Sequence, residues 1–311
     1  MLLLTSIALA VTPMTNAEAE DGFESAFSLA MEYGGTPYSM CTANLIGPRT
    51  VLTAAHCVAD FSERQFKNNV FGYFGSDVED AHTVVEFSEV LAHPDYDPAR
   101  NASQSELDIA VLVLDEPVSG IQPTWFRRAP LGDEDLGKEL FSVGFGIKDA
   151  QSQRGSGKKR SGVMELTDYD EQFLITDTNG RDPQLCSGDS GGPQFELVGD
   201  QWQQVGVHSW ADGYCLYSSG SQRTDIAAEW ILGHFEDAEG TADVCHANGW
   251  YDDGVCDGFC DRFDFDCLDN GKLLFETESG MLGCSSAPGA AGAAGWLLVL
   301  GGLAAGRRRW S

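Results

Sequence analysis

The sequence predicts an all-β domain, an antiparallel sandwich or barrel, closed by one helix near residue 230. Two observations carry this. Short apolar runs recur between Gly, Pro and Asp from about residue 21 to residue 235, the punctuation of an antiparallel fold. Helical periodicity stands out at residues 225–232. In order, residues 83–87 read as one strand. Residues 109–114 form a continuous apolar strand, stopped by Asp115-Glu116-Pro117. Residues 203–210 form another. Residues 151–162 are polar and Gly-rich and carry Lys158-Lys159-Arg160. They read as an ordinary solvated loop, with nicking by a basic-specific protease as the alternative.

With 311 residues the chain holds one large domain plus appendages. Its formal net charge of −29 argues against a nucleic-acid partner, which needs a basic face. An acidic, solubilising surface accounts for the charge. Nine cysteines point to an oxidising compartment. The apolar run at residues 2–10 reads as the core of a signal peptide occupying residues 1–19, without its basic n-region. Ala8-Leu9-Ala10 and Ala17-Glu18-Ala19 both fit a small-x-small cleavage site.

Three motifs carry chemistry. Cys186-Ser187-Gly188-Asp189-Ser190-Gly191-Gly192-Pro193 sets a serine between glycines. Leu52-Thr53-Ala54-Ala55-His56-Cys57 supplies an imidazole, and Asp108-Ile109-Ala110-Val111-Leu112 an acid. A serine hydroxyl is a poor nucleophile unless a base is within hydrogen-bonding reach. The order His, Asp, Ser and the flanking residues resemble the chymotrypsin/trypsin-like serine proteases over roughly residues 26–235.

The resemblance implies two antiparallel β-barrels with the site in the cleft between them. It implies His56 as general base, Asp108 as its orienting acid and Ser190 as nucleophile, with the amides of Gly188 and Ser190 as oxyanion hole. Catalysis then needs no cofactor, and the partner is a protein or peptide substrate. The resemblance also pairs Cys41 with Cys57, worth about 3 kcal/mol in the chain-entropy model, and Cys186 with Cys215. It places Gln184, Ser209, Trp210 and Ala211 in the substrate pocket. Gln184 stands where trypsin-like enzymes carry Asp, so no charge balances a buried Lys or Arg. The family's Ile-Val-Gly-Gly start, whose amino group pairs with the acid here numbered Asp189, has no counterpart. Met14-Thr15-Asn16-Ala17 lies at about the right distance and matches poorly. This departure keeps a second reading open: a catalytically silent protease fold used for binding or adhesion. An esterase of another fold is the third, and it fits the residue order poorly.

The protease-like domain is bounded at residues 20–238. Residues 239–270 form an acidic, Cys-rich module: residues 243–269 hold four cysteines and eight aspartates. So small a unit needs staples, and two internal disulfides supply them. It loosely resembles calcium-binding repeats of the Notch type. That implies a structural Ca²⁺ at Asp252, Asp253, Asp257, Asp264 and Asp266, with a merely solvated acidic surface, or cysteine–zinc ligation, as the rivals. Residues 271–286 read as a linker. Residues 287–306 are twenty Gly, Ala, Leu, Val, Trp and Pro residues followed by Arg307-Arg308-Arg309. At 1.5 Å per residue a helix of that length just spans a bilayer core, with the arginines cytoplasmic. This end of the chain resembles myxobacterial-type sorting tails. The resemblance implies an exported, membrane-anchored or cell-surface protein, released where a sorting protease cuts near Cys284.

Overall fold

The computed structural model describes residue 20 and residues 22–273, apart from 149, 181, 182, 200, 270 and 271. The signal-peptide segment, most of the linker, Cys284 and the tail at 287–311 lie outside the described residues. No helix among the described residues is long and apolar enough to cross a membrane.

Seven strands form the first curled antiparallel sheet: β1 (Ala26–Tyr33), β2 (Thr36–Leu45), β3 (Thr50–Thr53), β4 (Val70–Phe74), β5 (Thr83–Val85), β6 (Phe87–Ala92) and β7 (Ala110–Leu114). Their spatial order is β5-β4-β1-β2-β3-β7-β6. All five residues of β7 are buried, because β3 and β6 flank it and both of its faces meet the core. That burial is why its sequence is apolar without alternation. The run at 83–87 is two strands rather than one: β5 pairs with β4 and β6 with β7, so the chain changes partners at Glu86. Helix α1 (Glu63–Asn69) starts on a capping box, Ser62 Oγ accepting from Gln65 N while Gln65 Oε1 accepts from Ser62 N.

The second curled sheet has eight strands: β8 (Trp125–Phe126), β9 (Glu139–Gly144), β10 (Arg160–Glu165), β11 (Asp168–Tyr169), β12 (Phe173–Asp177), β13 (Pro193–Val198), β14 (Gln201–Ala211) and β15 (Ser218–Arg223). Their order is β10-β9-β13-β14-β15-β12-β11, with β8 added in parallel to β14. The expected two-barrel architecture is therefore present as two curled antiparallel sheets. The expected helix is a 3-10 turn (Asp225–Ala227) running into α2 (Ala228–Glu239), which Gly240 ends at φ +75°.

The 151–162 segment is not wholly a solvated loop. Arg160 opens β10, and Lys159 and Arg160 are only 2% and 6% exposed. Backbone carbonyls compensate them: Lys159 Nζ donates to the Gly22 and Phe23 carbonyls, and Arg160 to those of Gly146 and Gly155.

The acidic module contains α3 (Val244–Asn248) and has the expected two internal disulfides, Cys245–Cys260 and Cys256–Cys267. It is packed onto the barrels. Phe259 stacks on Trp125 at 5.6 Å, Arg128 pairs with Asp261 at 3.1 Å, and Asn248 Nδ2 donates to the Ile46 carbonyl.

Candidate active site

His56 sits in a 3-10 turn (Ala55–Cys57) just past the end of β3. The Cys41–Cys57 disulfide ties that turn to β2. Asp108 precedes β7, and Leu107 before it adopts a left-handed φ of +52°. That conformation is costly for a leucine, and two glutamines from the second sheet region hold it. Gln172 Oε1 accepts from Leu107 N at 3.2 Å and Gln222 Oε1 from Asp108 N at 2.9 Å. The fully buried Asp108 carboxylate accepts from His56 N at 2.9 Å, His56 Nδ1 at 2.8 Å and Ser209 Oγ at 2.5 Å. These three donors offset its desolvation. They also fix the Nδ1–H tautomer of His56, leaving Nε2 to face outward as a base.

The Ser190 loop closes on β2 and β3 through glycine. A Cβ on Gly191 (φ +81°) would lie 2.1 Å from Thr53 Oγ1 and 2.3 Å from the Thr42 carbonyl, so only glycine lets the loop close on β2 and β3. Thr42 N donates to the Ser190 carbonyl at 2.8 Å, and Cys57 Sγ lies 3.7 Å from the same oxygen. Thr42 Oγ1 donates to the Gly188 carbonyl at 2.9 Å and accepts from Phe145 N at 3.0 Å. The Ser187 carbonyl accepts from Ile147 N at 2.9 Å. In a trans peptide C=O and N–H point opposite ways, so this bond turns the Gly188 N–H away from Ile147. Neither Gly188 N nor Ser190 N donates to a described acceptor. Two free amides flanking a serine are the elements of an anion-stabilising hole.

Beneath the nucleophile loop, Asp189 is buried. Its Oδ1 accepts from Gly146 N at 2.7 Å and its Oδ2 from Cys186 N at 2.9 Å. Burial pushes this carboxyl up to about 7, against the pull of the two amides and the Arg160 charge.

An open cavity beside Ser190 is lined by Leu185, Ser187, Ser209, Trp210 and Ala211, with the Cys186–Cys215 disulfide at its edge. Ser209, Trp210 and Ala211, which the resemblance assigned to a substrate pocket, line this cavity. Gln184 does not line it. It is fully buried, and its amide donates to the Thr176 carbonyl and accepts from Leu185 N. Satisfying a buried amide on nearby backbone takes precedence over facing a cavity. Leu185, packed with Met164 and Ala211, forms the wall instead. Asp212 also lines the cavity, but four backbone N–H groups, of Tyr214, Leu216, Tyr217 and Ser218, bond its carboxylate. Against the push of burial they hold its carboxyl below the usual range.

The sequence reading missed Thr42, Gln172, Gln222 and Arg160, and assigned Ser209 to the pocket without its bond to Asp108. A hydroxyl or amide that acts by reaching across from another strand leaves no local signal. Among the described residues the one cluster of metal-type donors is Cys41, His56 and Cys57. Its sulfurs are joined in a disulfide, so it is not a metal centre.

In the module, the five aspartates do not form one ring. Asp253 Oδ1 accepts from Val255 N, Asp264 Oδ1 from Asp266 N, Asp264 Oδ2 from Asp257 N, and Asp266 Oδ2 from Gly254 N. Asp257, 1% exposed, bonds Gln201 through Oδ1 while its Oδ2 has no partner. Burial, opposed by the Gln201 bond and aided by the charges of Asp253, Asp264 and Asp266, raises its carboxyl to about 6. Asp252 lines another cavity with Tyr251, Arg262 and Asp264.

Comparison with known proteins agrees with this geometry. The family model described as Trypsin matches residues 16–231. The chain is 26% identical to coagulation factor XI of Bos taurus over 197 residues, 57% of this chain and 30% of that protein. It is 27% identical to vitamin K-dependent protein C of Rattus norvegicus over 193 residues, 56% of this chain and 41% of that protein. For the protein C of Oryctolagus cuniculus the figures are 26% over 227 residues, 64% and 47%. The chain thus spans less than half the length of these relatives. With the family model covering most of the chain, the chain belongs to the trypsin family of serine proteases.

Proposed function

We propose that the protein is an exported serine endopeptidase working through His56, Asp108 and Ser190. The observation that carries this is the buried Asp108 carboxylate orienting Nδ1 of His56 beside a serine loop with two free amides. The Ser190 Oγ proton passes to His56 Nε2 as Oγ attacks the scissile carbonyl carbon. The carbonyl oxygen becomes an oxyanion held by the Gly188 and Ser190 amides. The imidazolium, stabilised by Asp108, protonates the leaving amine as the C–N bond breaks. Water, deprotonated by His56, then attacks the acyl-enzyme and releases the acid. Lys and Arg are not the favoured side chains at the scissile position. Leu185 walls the cavity, Gln184 is spent on backbone, and Asp212 already serves four amides. Export is part of this proposal: the disulfides suit an oxidising compartment, and in this reading the 287–311 tail anchors the protein until a sorting protease cuts near Cys284.

A fluorophosphonate probe and a peptide library test this. Wild type should label at Ser190 and favour uncharged side chains. Ser190→Ala should keep the fold and lose the label, with kcat down on the order of a million-fold. A folded wild type that neither labels nor cleaves would leave the silent binding module as the better reading.

One observation favours a second function, structural Ca²⁺ in the module: Asp257 Oδ2, buried without a partner near Asp253, Asp264 and Asp266. A hard cation there would satisfy that oxygen and offset the mutual repulsion. Ligand at 100-fold its Kd adds about 2.7 kcal/mol of stability. Millimolar Ca²⁺ should therefore raise the melting temperature of the whole chain more than Mg²⁺ does, and Asp257→Asn should abolish the difference. Equal melting in Ca²⁺ and in chelator, at matched ionic strength, would leave a solvated acidic surface.

A further inference from the structure

Arg160 is buried, carries a full charge and takes no part in the chemistry described above. Its Nη1 donates to the Gly146 carbonyl at 2.8 Å and its Nη2 to the Gly155 carbonyl. The peptide that bears the Gly146 carbonyl also bears the Ile147 N–H, which donates to the Ser187 carbonyl at 2.9 Å. The peptide that bears the Ser187 carbonyl also bears the Gly188 N–H. A line of groups therefore runs from the guanidinium through two peptides to the oxyanion position. Each peptide accepts on the side toward Arg160 and donates on the side away from it. Hydrogen bonds in series polarise one another in the same sense, so the arginine charge strengthens the donor at the far end.

The same residues hold Asp189. The Gly146 amide is one of its two donors, and a Cβ on Gly146 would sit 2.6 Å from the Asp189 carboxyl carbon. The Arg160 charge favours the ionised form of Asp189, and the Asp189 charge that of Arg160. Arg160 and Asp189 bond opposite ends of one residue, the Gly146 carbonyl and the Gly146 amide, and two buried groups of opposite charge so placed offset each other's desolvation.

We propose, on the reading of the chain as a protease, that Arg160 is a positioning residue for the oxyanion hole. Through the Gly146–Ile147 peptide it orients the Gly188 N–H and supplies Asp189 with the positive charge that a new amino group brings in the family at large. A residue two peptides from the reacting atoms thereby acts on the transition state and not on substrate binding.

The test uses the full chain and compares Arg160→Met, Arg160→Lys and Arg160→Gln with wild type, per folded molecule measured by far-UV circular dichroism. Loss of one oxyanion donor costs on the order of 10²–10³ in kcat. Arg160→Met should lose roughly that factor in kcat with KM nearly unchanged. Its kcat should recover as pH rises, because without the arginine Asp189 ionises later, and both of its oxygens are needed as acceptors. Arg160→Lys, which keeps the charge at the Gly146 carbonyl, should retain most of kcat and the wild-type pH profile. Should the Met variant fail to fold, Arg160→Gln, which keeps a donor without the charge, should show the same kcat loss and alkaline shift. An active wild type matched in kcat and pH profile by a folded Met or Gln variant overturns the proposal alone. A wild type without turnover or label overturns the protease reading and the proposal with it.

Discussion

The two sides of the cleft are held by different physics. On one side, His56 and Asp108 stand at the ends of β3 and β7, whose residues are all buried. Every bond that orients them is short and direct. On the other side, Ser190 and Gly188 lie in a loop of glycines whose shape depends on a buried acid, a buried arginine and close backbone contacts. The first side is rigid because strands are rigid. The second is set by a balance of charges. Damage to the first should therefore act on proton handling alone, while damage to the second should misplace the donors of the oxyanion hole.

The largest effect expected breaks the first side. Asp108→Asn would present an N–H where His56 Nδ1 now finds an acceptor, favouring the wrong tautomer. A drop in kcat on the order of 10⁴ is expected, with the melting temperature little changed because the His56 amide still finds an oxygen and the Ser209 hydroxyl can turn to accept from the new N–H. Steady-state kinetics with a chromogenic peptide reads it. A loss below about tenfold would remove Asp108 from the mechanism.

A smaller loss is expected on the second side from Gly146→Ala. The new methyl would lie 2.6 Å from the Asp189 Cγ and Oδ1 and 2.7 Å from its amide nitrogen, so backbone must move. The nucleophile loop should shift and kcat fall on the order of 10²–10³, as for one lost oxyanion donor. Gly233→Ala is the control: it lies in α2 with nothing within 4 Å of the added carbon. It should leave kcat unchanged and stabilise by about 0.5–1 kcal/mol. Equal kinetics for the two alanine variants would refute the idea that the second side depends on close packing against Asp189.

The same division governs what could be read from the sequence. The His56, Asp108 and Ser190 segments each carry their neighbours with them, so fold, family and two disulfides were legible. The split of 83–87 into β5 and β6 was not, because a change of strand partner is a tertiary event. Nor was the burial of Lys159 and Arg160: three basic residues beside Gly and Ser look solvated until the carbonyls of Gly22, Phe23, Gly146 and Gly155 converge on them. Gln184 was misplaced for a related reason. Position relative to Ser190 gives the backbone's place, while the side chain goes where a buried amide finds partners, here Thr176 and Leu185.

The smallest effect expected sharpens the comparison through pH. His208 on β14 is 1% exposed, with Nδ1 3.0 Å from Ser221 Oγ. Its Nε2 faces the Val143 carbonyl without a satisfying hydrogen bond. Burial pushes its pKa down to about 3, so the folded protein keeps it neutral. An unfolded chain would protonate it below about 6.5. Between those values the unfolded state binds the extra proton, and this residue's contribution to stability is lost as pH falls. Asp189 has the opposite sign. Its pKa is raised to about 7, so the folded state holds the extra proton and stability is lost as pH rises from about 4 to 7. The two act against each other on the same side of the cleft. His208→Gln removes one of them while leaving a polar group for Ser221. Melting temperatures at pH 7.5 and pH 5 should then show the variant losing less stability on acidification than wild type, whatever its stability at pH 7.5. Parallel melting profiles for the two proteins would mean that His208 is already protonated in the fold, or reaches water, and would remove it from the charge balance on that side.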